Sequence, residues 1–403
     1  MRKSILYLTI ATLLLVKLPL VSYAAEVTLL ESPAAEASSL SRVFADKSGG
    51  VILSWVESDG KNDSLYFSTL SKNRFSKPQM IASGTDWFVN WADFPFVITT
   101  DQSMTAHWLQ KRDEGTYNYD VVAVFRNPES KIWSEPRIIH TDGVSAEHGF
   151  VGMLPLSSNR TLISWLDGRN TAGHEAHDAT GHGAGGMTLR AGIFKANGDT
   201  MAEWELDDLV CDCCQTSVAM SSGGPVVAYR NRTESEMRDI FITRLENESW
   251  TRPTPVYVDN WEIAGCPVNG PSVAAQKHQV AVGWFSAKDN QPKVNLSLST
   301  DNGDSFTNTV TVAQQNTNGR VSVAMLESGK VVISWLETAG KSALIKAAAY
   351  NYNGELLDSA TIAETVSSRQ SGFPVMTSSG NDVFVTWTEV SLEKQVRVAR
   401  VRF

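Results

Sequence analysis

The feature that most constrains this chain is a short apolar strand, ending on an aromatic ring, that recurs seven times. The copies are Val51-Ile-Leu-Ser-Trp55, Met104-Thr-Ala-His-Trp108, Thr161-Leu-Ile-Ser-Trp165, Pro225-Val-Val-Ala-Tyr229, Val280-Ala-Val-Gly-Trp284, Val331-Val-Ile-Ser-Trp335 and Val383-Phe-Val-Thr-Trp387. Successive rings lie 53, 57, 64, 55, 51 and 52 residues apart. A unit of about fifty residues, with β-branched strands between Gly, Asn and Asp turns, has room for four strands and is the period of a β-propeller blade. Few segments hold a 3.6-residue apolar period, so little helix is expected.

The second copy divides into strands Phe94–Thr99, Met104–Gln110, Asn118–Arg126 and Trp133–His140. The last copy reaches Phe403 after three strands. Residues 26–31, Glu-Val-Thr-Leu-Leu-Glu, are expected to supply the fourth. A ring closed by its own first strand has no open edge. The expected fold is therefore all-β, a seven-bladed propeller forming one domain over 25–403.

Residues 1–24 read as a cleaved export signal. Arg2 and Lys3 precede an apolar run from Ile5 to Val16, and Ser22-Tyr23-Ala24 ends in small residues. Lys17 and Pro19 interrupt the run well short of the about 20 residues a membrane span needs. A periplasmic or secreted monomer is expected. The formal charge of −9 becomes more acidic once Arg2, Lys3 and Lys17 leave, which argues against nucleic acid and anionic membranes as partners.

In an up-and-down blade, the linkers between blades and the loops between second and third strands share one face. The linkers bring Trp87, Trp91, Asp93, Glu147, His148, Trp261, Glu262, Asn269, Arg320 and Arg369 there. They also bring Cys211-Asp-Cys213-Cys214 and Cys266, which are all the cysteines in the protein. The second-to-third strand loops bring Asp167, Arg169, Arg230, Arg232 and a Gly/Ala-rich insertion carrying His174, His177 and His182. Rigid scaffolds present sites on such loops. Export favours two disulfides, yet three cysteines within four positions, with histidines nearby, also suit copper(I) or zinc. A mixture of one disulfide and two free ligands is the third option. The histidine insertion is either a solvated loop or a ligand source.

Ser299-Thr-Asp301-Asn-Gly303-Asp-Ser-Phe306 fits an Asp-box, Ser/Thr-x-Asp-x-Gly-x-x-Trp/Phe. With it the mature chain resembles the sialidase-like (neuraminidase-like) β-propeller superfamily. That resemblance implies a six-bladed propeller as the alternative architecture. It also implies an arginine cluster for a substrate carboxylate, for which Arg42, Arg232, Arg320 and Arg369 are candidates, and an acid/base aspartate. Arg42-Val-Phe-Ala stands where the family has Arg-Ile-Pro, without the proline. The family's tyrosine nucleophile has no counterpart in any linker, so no tyrosine hydroxyl and carboxylate within hydrogen-bond reach beneath three arginines are expected on the loop face.

Three functions follow from these residues. The leading one is binding of a transition metal, or of a ligand beside one, by Cys211, Cys213, Cys214, Cys266, His148, His174 and His177. Here a cysteine sulfur and His148 are expected to share a common point. The second is an exo-sialidase-type hydrolase acting on an acidic glycan. The third is a docking module using Trp87, Trp91, Trp261 and the polar set Asp167, Arg169, Arg230, Glu262 and Asn269.

Overall fold

The computed structural model describes residues 25–100, 102–127, 129–171 and 185–403, so the export-signal reading and His174, His177 and His182 lie outside the described residues. Seven antiparallel sheets follow one another along the chain. Seven blades form, rather than the six of the alternative. Among the described residues there is no α-helix, only three single-turn 3₁₀ segments. None of their helices is long and apolar enough to cross a membrane.

Blade 1 is built on Ser38–Ala45, Val51–Ser58 and Asp63–Ser71, blade 2 on Phe96–Thr99, Met104–Lys111 and Tyr119–Arg126, and blade 3 on His148–Pro155, Thr161–Asp167, Met187–Phe194 and Thr200–Val210. Blades 4, 5 and 6 begin with the inner strands Ser217–Ser221, Ser272–Gln276 and Thr317–Met325. Blade 7 contains Val375–Ser379, Asp382–Val390 and Lys394–Arg402. Its outer strand is Glu26–Leu30, with Glu26 opposite Arg402 and Leu30 opposite Val398. The closure read from the sequence is the one that forms.

All seven repeat rings are buried. In a strand, residues two apart lie on the same side, and three of the indoles use this. Trp55 donates to Glu57 at 2.8 Å, Trp108 to Gln110 at 3.3 Å and Trp165 to Asp167 at 2.8 Å. Around the axis, short serines tie the inner strands of blades 4 to 7 each to the next. Ser217 Oγ accepts from the Val273 amide, Ser272 Oγ from Val323 and Ser322 Oγ from Met376, each at 2.9 Å. These links satisfy inner-edge amides that no ladder reaches.

One blade departs from expectation. The outer strand expected at Trp133–His140 shrinks to Arg137–Ile138, because Pro136 lacks the amide that a longer ladder needs. His140 is thereby released into the linker to blade 3. On the opposite face, the Asp-box forms the hairpin of blade 5. Asp301 Oδ1 accepts from the Ser299 hydroxyl at 2.6 Å and the Ser305 amide at 2.9 Å, while Gly303 takes φ 85°.

Candidate functional site

All seven inner strands or their linkers contribute to an axial cavity of about 90 Å³. Its wall includes Arg42, Asp93, Phe96, Phe150, Ser272, Ser322 and Phe373. Arg42 comes from the inner strand of blade 1 and lies 4.0 Å over the Phe96 ring. Burial lowers its pKa to about 10, and no carboxylate among the described residues pairs with it. Behind it, His107 is fully buried, stands edge-on to Phe96 and has neither ring nitrogen hydrogen-bonded. Burial first, then the Arg42 charge, depresses His107 to about 3.

Between this cavity and blade 3 lies an acid group. Asp93 is buried and accepts the Phe150 amide at 2.7 Å. Burial raises its pKa to about 7, against the pull of that hydrogen bond. Gly149 allows the approach, since any side chain there would strike the Asp93 carboxylate and the Tyr119 ring. Tyr119 opens the third strand of blade 2 and stacks on Phe88 at 4.2 Å. Its hydroxyl donates to Glu147 Oε1 at 2.6 Å. Desolvation drives Glu147 up to about 8, with repulsion from Asp93 and Asp212 adding to it and the tyrosine opposing it. This is a tyrosine–carboxylate pair, but it does not lie beneath a clamp of three arginines, since Arg232 and Arg320 are engaged elsewhere. The pair comes from a strand end and a linker, so a search confined to linkers missed its tyrosine.

Beside it, in the joint of blades 2 and 3, a second polar group is buried. His140 and His148 stack with centroids 3.7 Å apart and planes 8° from parallel. His140 Nδ1 lies 2.8 Å from Asp142 Oδ2, and His148 Nδ1 lies 3.1 Å from the Ala146 carbonyl and 3.2 Å from that of Tyr119. Asp120 is held by Arg112 at 2.9 Å. Asp167 accepts from Trp165 and, through both its oxygens, from Arg169 at 2.8 and 2.7 Å. These hydrogen bonds hold the Asp167 carboxylate down at about 2 against the cost of burial. The buried atoms His140 Nε2, His148 Nε2 and Asp120 Oδ1 have no hydrogen-bond partner.

No family model and no curated protein sequence matches the chain. Among solved structures it is similar to the phage phi92 endosialidase, at 9% identity over 94% of this chain and 69% of that one, with a TM-score of 0.52. It is similar to a PL25 ulvan lyase, at 11% identity over 80% and 81% of the two chains and a TM-score of 0.50. A Mycobacterium tuberculosis puromycin-hydrolysing peptidase matches at 12% identity over 90% of this chain but 52% of its own, with a TM-score of 0.51. The shared feature is the β-propeller. At such identities the likeness concerns fold alone.

The propeller brings the remaining candidates to the expected face but commits most of them internally. Cys211 bonds Cys214, and Cys213 bonds Cys266, tying the linker before blade 4 to the linker before blade 5. The reading of these four as metal ligands is thereby corrected, because a disulfide sulfur has no thiolate to offer. Residues three apart, across a turn, bring their Cα atoms to 5.7 Å, within reach of a bridge. No cysteine shares a potential ligand cluster with a histidine among the described residues.

Arg230 is buried and donates to the carbonyls of Asn269, Arg238 and Phe285. Asn269 in turn accepts the Arg320 amide at 2.8 Å. Arg320 donates to Ser371 Oγ and to the carbonyls of Gly372 and Ser368. Arg232 pairs with Asp212 and Glu236. A three-arginine clamp built on Arg232 and Arg320 is thus not assembled. Trp87 and Trp261 are core residues, packed on Trp108 and Phe285 respectively. Glu262 is exposed. Trp91 remains half-buried, stacked on Phe373 at 5.6 Å, with Arg369 5.5 Å from its ring and itself exposed.

Proposed function

We propose that this protein is exported and acts on an acidic carbohydrate at its linker face. The observation that carries the reading is the Tyr119–Glu147–Asp93 group. Burial holds both carboxyls up, Glu147 at about 8 and Asp93 at about 7, so near neutral pH they keep protons that exposed acids give up. Two carboxyls pushed to different values can divide the roles of proton donor and acceptor, as cleavage of a glycosidic bond requires. Glu147 is the donor in this reading and Asp93 the base.

Other features support the substrate class. Arg42 and Arg369 are cations on this face without carboxylate partners among the described residues, and guanidinium suits carboxylate or sulfate. The Trp91–Phe373 stack offers a flat apolar platform for a sugar ring. Two of the similar structures are named as an endosialidase and as an ulvan lyase bound to -[GlcA(1-4)Rha3S]-. The two disulfides suit an oxidising compartment.

The test is a panel of fluorogenic sialosides, fluorogenic glucuronides and sulfated polyuronates. Glu147→Gln and Asp93→Asn should each lower turnover by at least about 100-fold with binding retained. No binding or turnover of any acidic glycan, or turnover unaffected by both changes, would sink the reading. A glycan-docking role is the second reading, favoured by the burial of Tyr119, which is 1% exposed. Tight glycan binding by the wild type with no turnover would decide for it.

A further inference from the structure

We propose that the axial chamber holds a small inorganic anion, with chloride the expected occupant, against Arg42. The inference starts from the ladder register. In each blade, one residue of the inner strand lies opposite the residue just before the repeat ring. In six of the seven blades that residue is Arg42, Phe96, Ser217, Ser272, Ser322 or Val375. All six line the cavity. Equivalent positions of a propeller form one layer around its axis, so a single cation and three hydroxyls share this layer with two apolar side chains.

The layer has donors to spare. A serine hydroxyl can both accept and donate. Ser217, Ser272 and Ser322 each accept an amide of the next blade at 2.9 Å, and their own protons have no acceptor among the described residues. Arg42 adds five N–H donors. Its guanidinium makes no hydrogen bond or ion pair among the described residues, and the face of Phe96 at 4.0 Å offsets only part of its charge. Burial lowers its pKa to about 10, which leaves it charged at neutral pH. The one acid in the wall, Asp93, accepts the Phe150 amide, and burial holds it at about 7, so at pH 6 it keeps its proton.

A charge withdrawn from water without a counter-charge is costly. Water in the chamber accepts from the serines but sets no charge against the guanidinium. An anion does both, through charge-assisted hydrogen bonds. Size narrows the class. About 90 Å³ is far below the roughly 300–1,000 Å³ of pockets that enclose organic ligands. The chamber suits a small ion and not a sugar ring. The inference does not depend on carbohydrate turnover, and an acidic sugar that reached Arg42 would displace the ion.

The experiment uses the mature protein in sodium gluconate at pH 6, with chloride titrated in at constant ionic strength and unfolding followed by heat. A saturable rise in melting temperature is expected, because an ion that binds only the folded chain stabilises it. Arg42→Met should melt above the wild type without chloride, since the unpaired charge has gone, and should show no chloride response. Ser272→Ala and Ser322→Ala should each raise the half-saturating chloride concentration by about 10-fold, the loss of one hydrogen bond to a charged group. Wild-type crystals grown in bromide should show an anomalous peak on the axis, within hydrogen-bond reach of Arg42. A wild-type melting temperature indifferent to chloride, or an equal response in Arg42→Met, would overturn the proposal. So would bromide crystals without the axial peak, a result that stands even if a variant fails to fold.

Discussion

The two flanks of the linker face respond to burial in opposite ways. On the flank of blades 4 to 6, the polar groups are used internally. Four cysteines form two disulfides, Arg230 donates to three carbonyls, and Asn269 and Arg320 pin neighbouring linkers together. On the flank of blades 2 and 3, buried groups are left over. Three buried polar atoms, His140 Nε2, His148 Nε2 and Asp120 Oδ1, have no hydrogen-bond partner, and Glu147 and Asp93 are held far from their ordinary pKa values. The unusual cysteine motif marks the stapled flank, and the chemically unsatisfied flank carries less conspicuous residues. A rare residue pattern is a poor guide to reactivity until its valences have been counted.

The sharpest way to break this contrast is to remove a staple. The Cys213–Cys266 bridge closes a sequence separation of 53 residues, and Cys213→Ser with Cys266→Ser should cost about 4 kcal/mol in denaturant unfolding. The Cys211–Cys214 bridge closes only three, and its loss should cost about half as much. Equal costs would mean that loop closure is not what the bridges contribute. Arg230→Met should follow at about 3 kcal/mol, because three buried carbonyls lose their donor. If it costs under about 0.5 kcal/mol, that flank is not held as described.

The other flank should reveal itself through pH. Between about 4.5 and 8 the folded chain keeps a proton on Glu147 that the unfolded chain gives up, and Asp93 does the same between 3.8 and about 7. Their contribution to stability is therefore complete below those ordinary values and is lost as pH rises toward 8. The melting temperature should fall from pH 5 to pH 8, and the pair Glu147→Gln, Asp93→Asn should flatten that fall. His107 works the other way, weakening the fold as pH drops from 6.5 toward 3. A slope that survives the double substitution would place the titrating groups elsewhere. The smallest effect is expected on the opposite face, where Asp301→Ala should cost about 1 kcal/mol through the lost hairpin caps, with no change at either flank.

The repeat made the blades readable, because an alternating strand with a buried ring is a local pattern with a local cause. Closure by residues 26–30 was readable for the same reason: one blade lacked one strand. The site was less so. Glu147, His148, Asp93 and Asp167 could be assigned to the linker face from topology. Tyr119 lies inside the strand expected at Asn118–Arg126, whereas in the structure it is the first residue of that strand, beside the linker. His140 was hidden by an outer strand that Pro136 cuts short, and with it went Asp142 and Asp120. The spacing of Trp55 to Glu57, Trp108 to Gln110 and Trp165 to Asp167 was a signal that could have been used, since it shows the acceptor position in blades 1 to 3. The arginines were misleading because sequence shows a charge but not the carbonyls around it.

The closing strand has a mechanical consequence. Glu26 lies opposite Arg402, so the two ends of the ring emerge side by side at the same end of one antiparallel pair. Tension applied through those ends would not shear the five paired positions together. It would peel them one at a time, starting at Glu26 and Arg402 and finishing at Leu30 and Val398. During synthesis the same pair can form only once Lys394–Arg402 has been made, because its register joins the first described strand to the last. Blade 7 is thus a zip fastener: late to fasten and first to open.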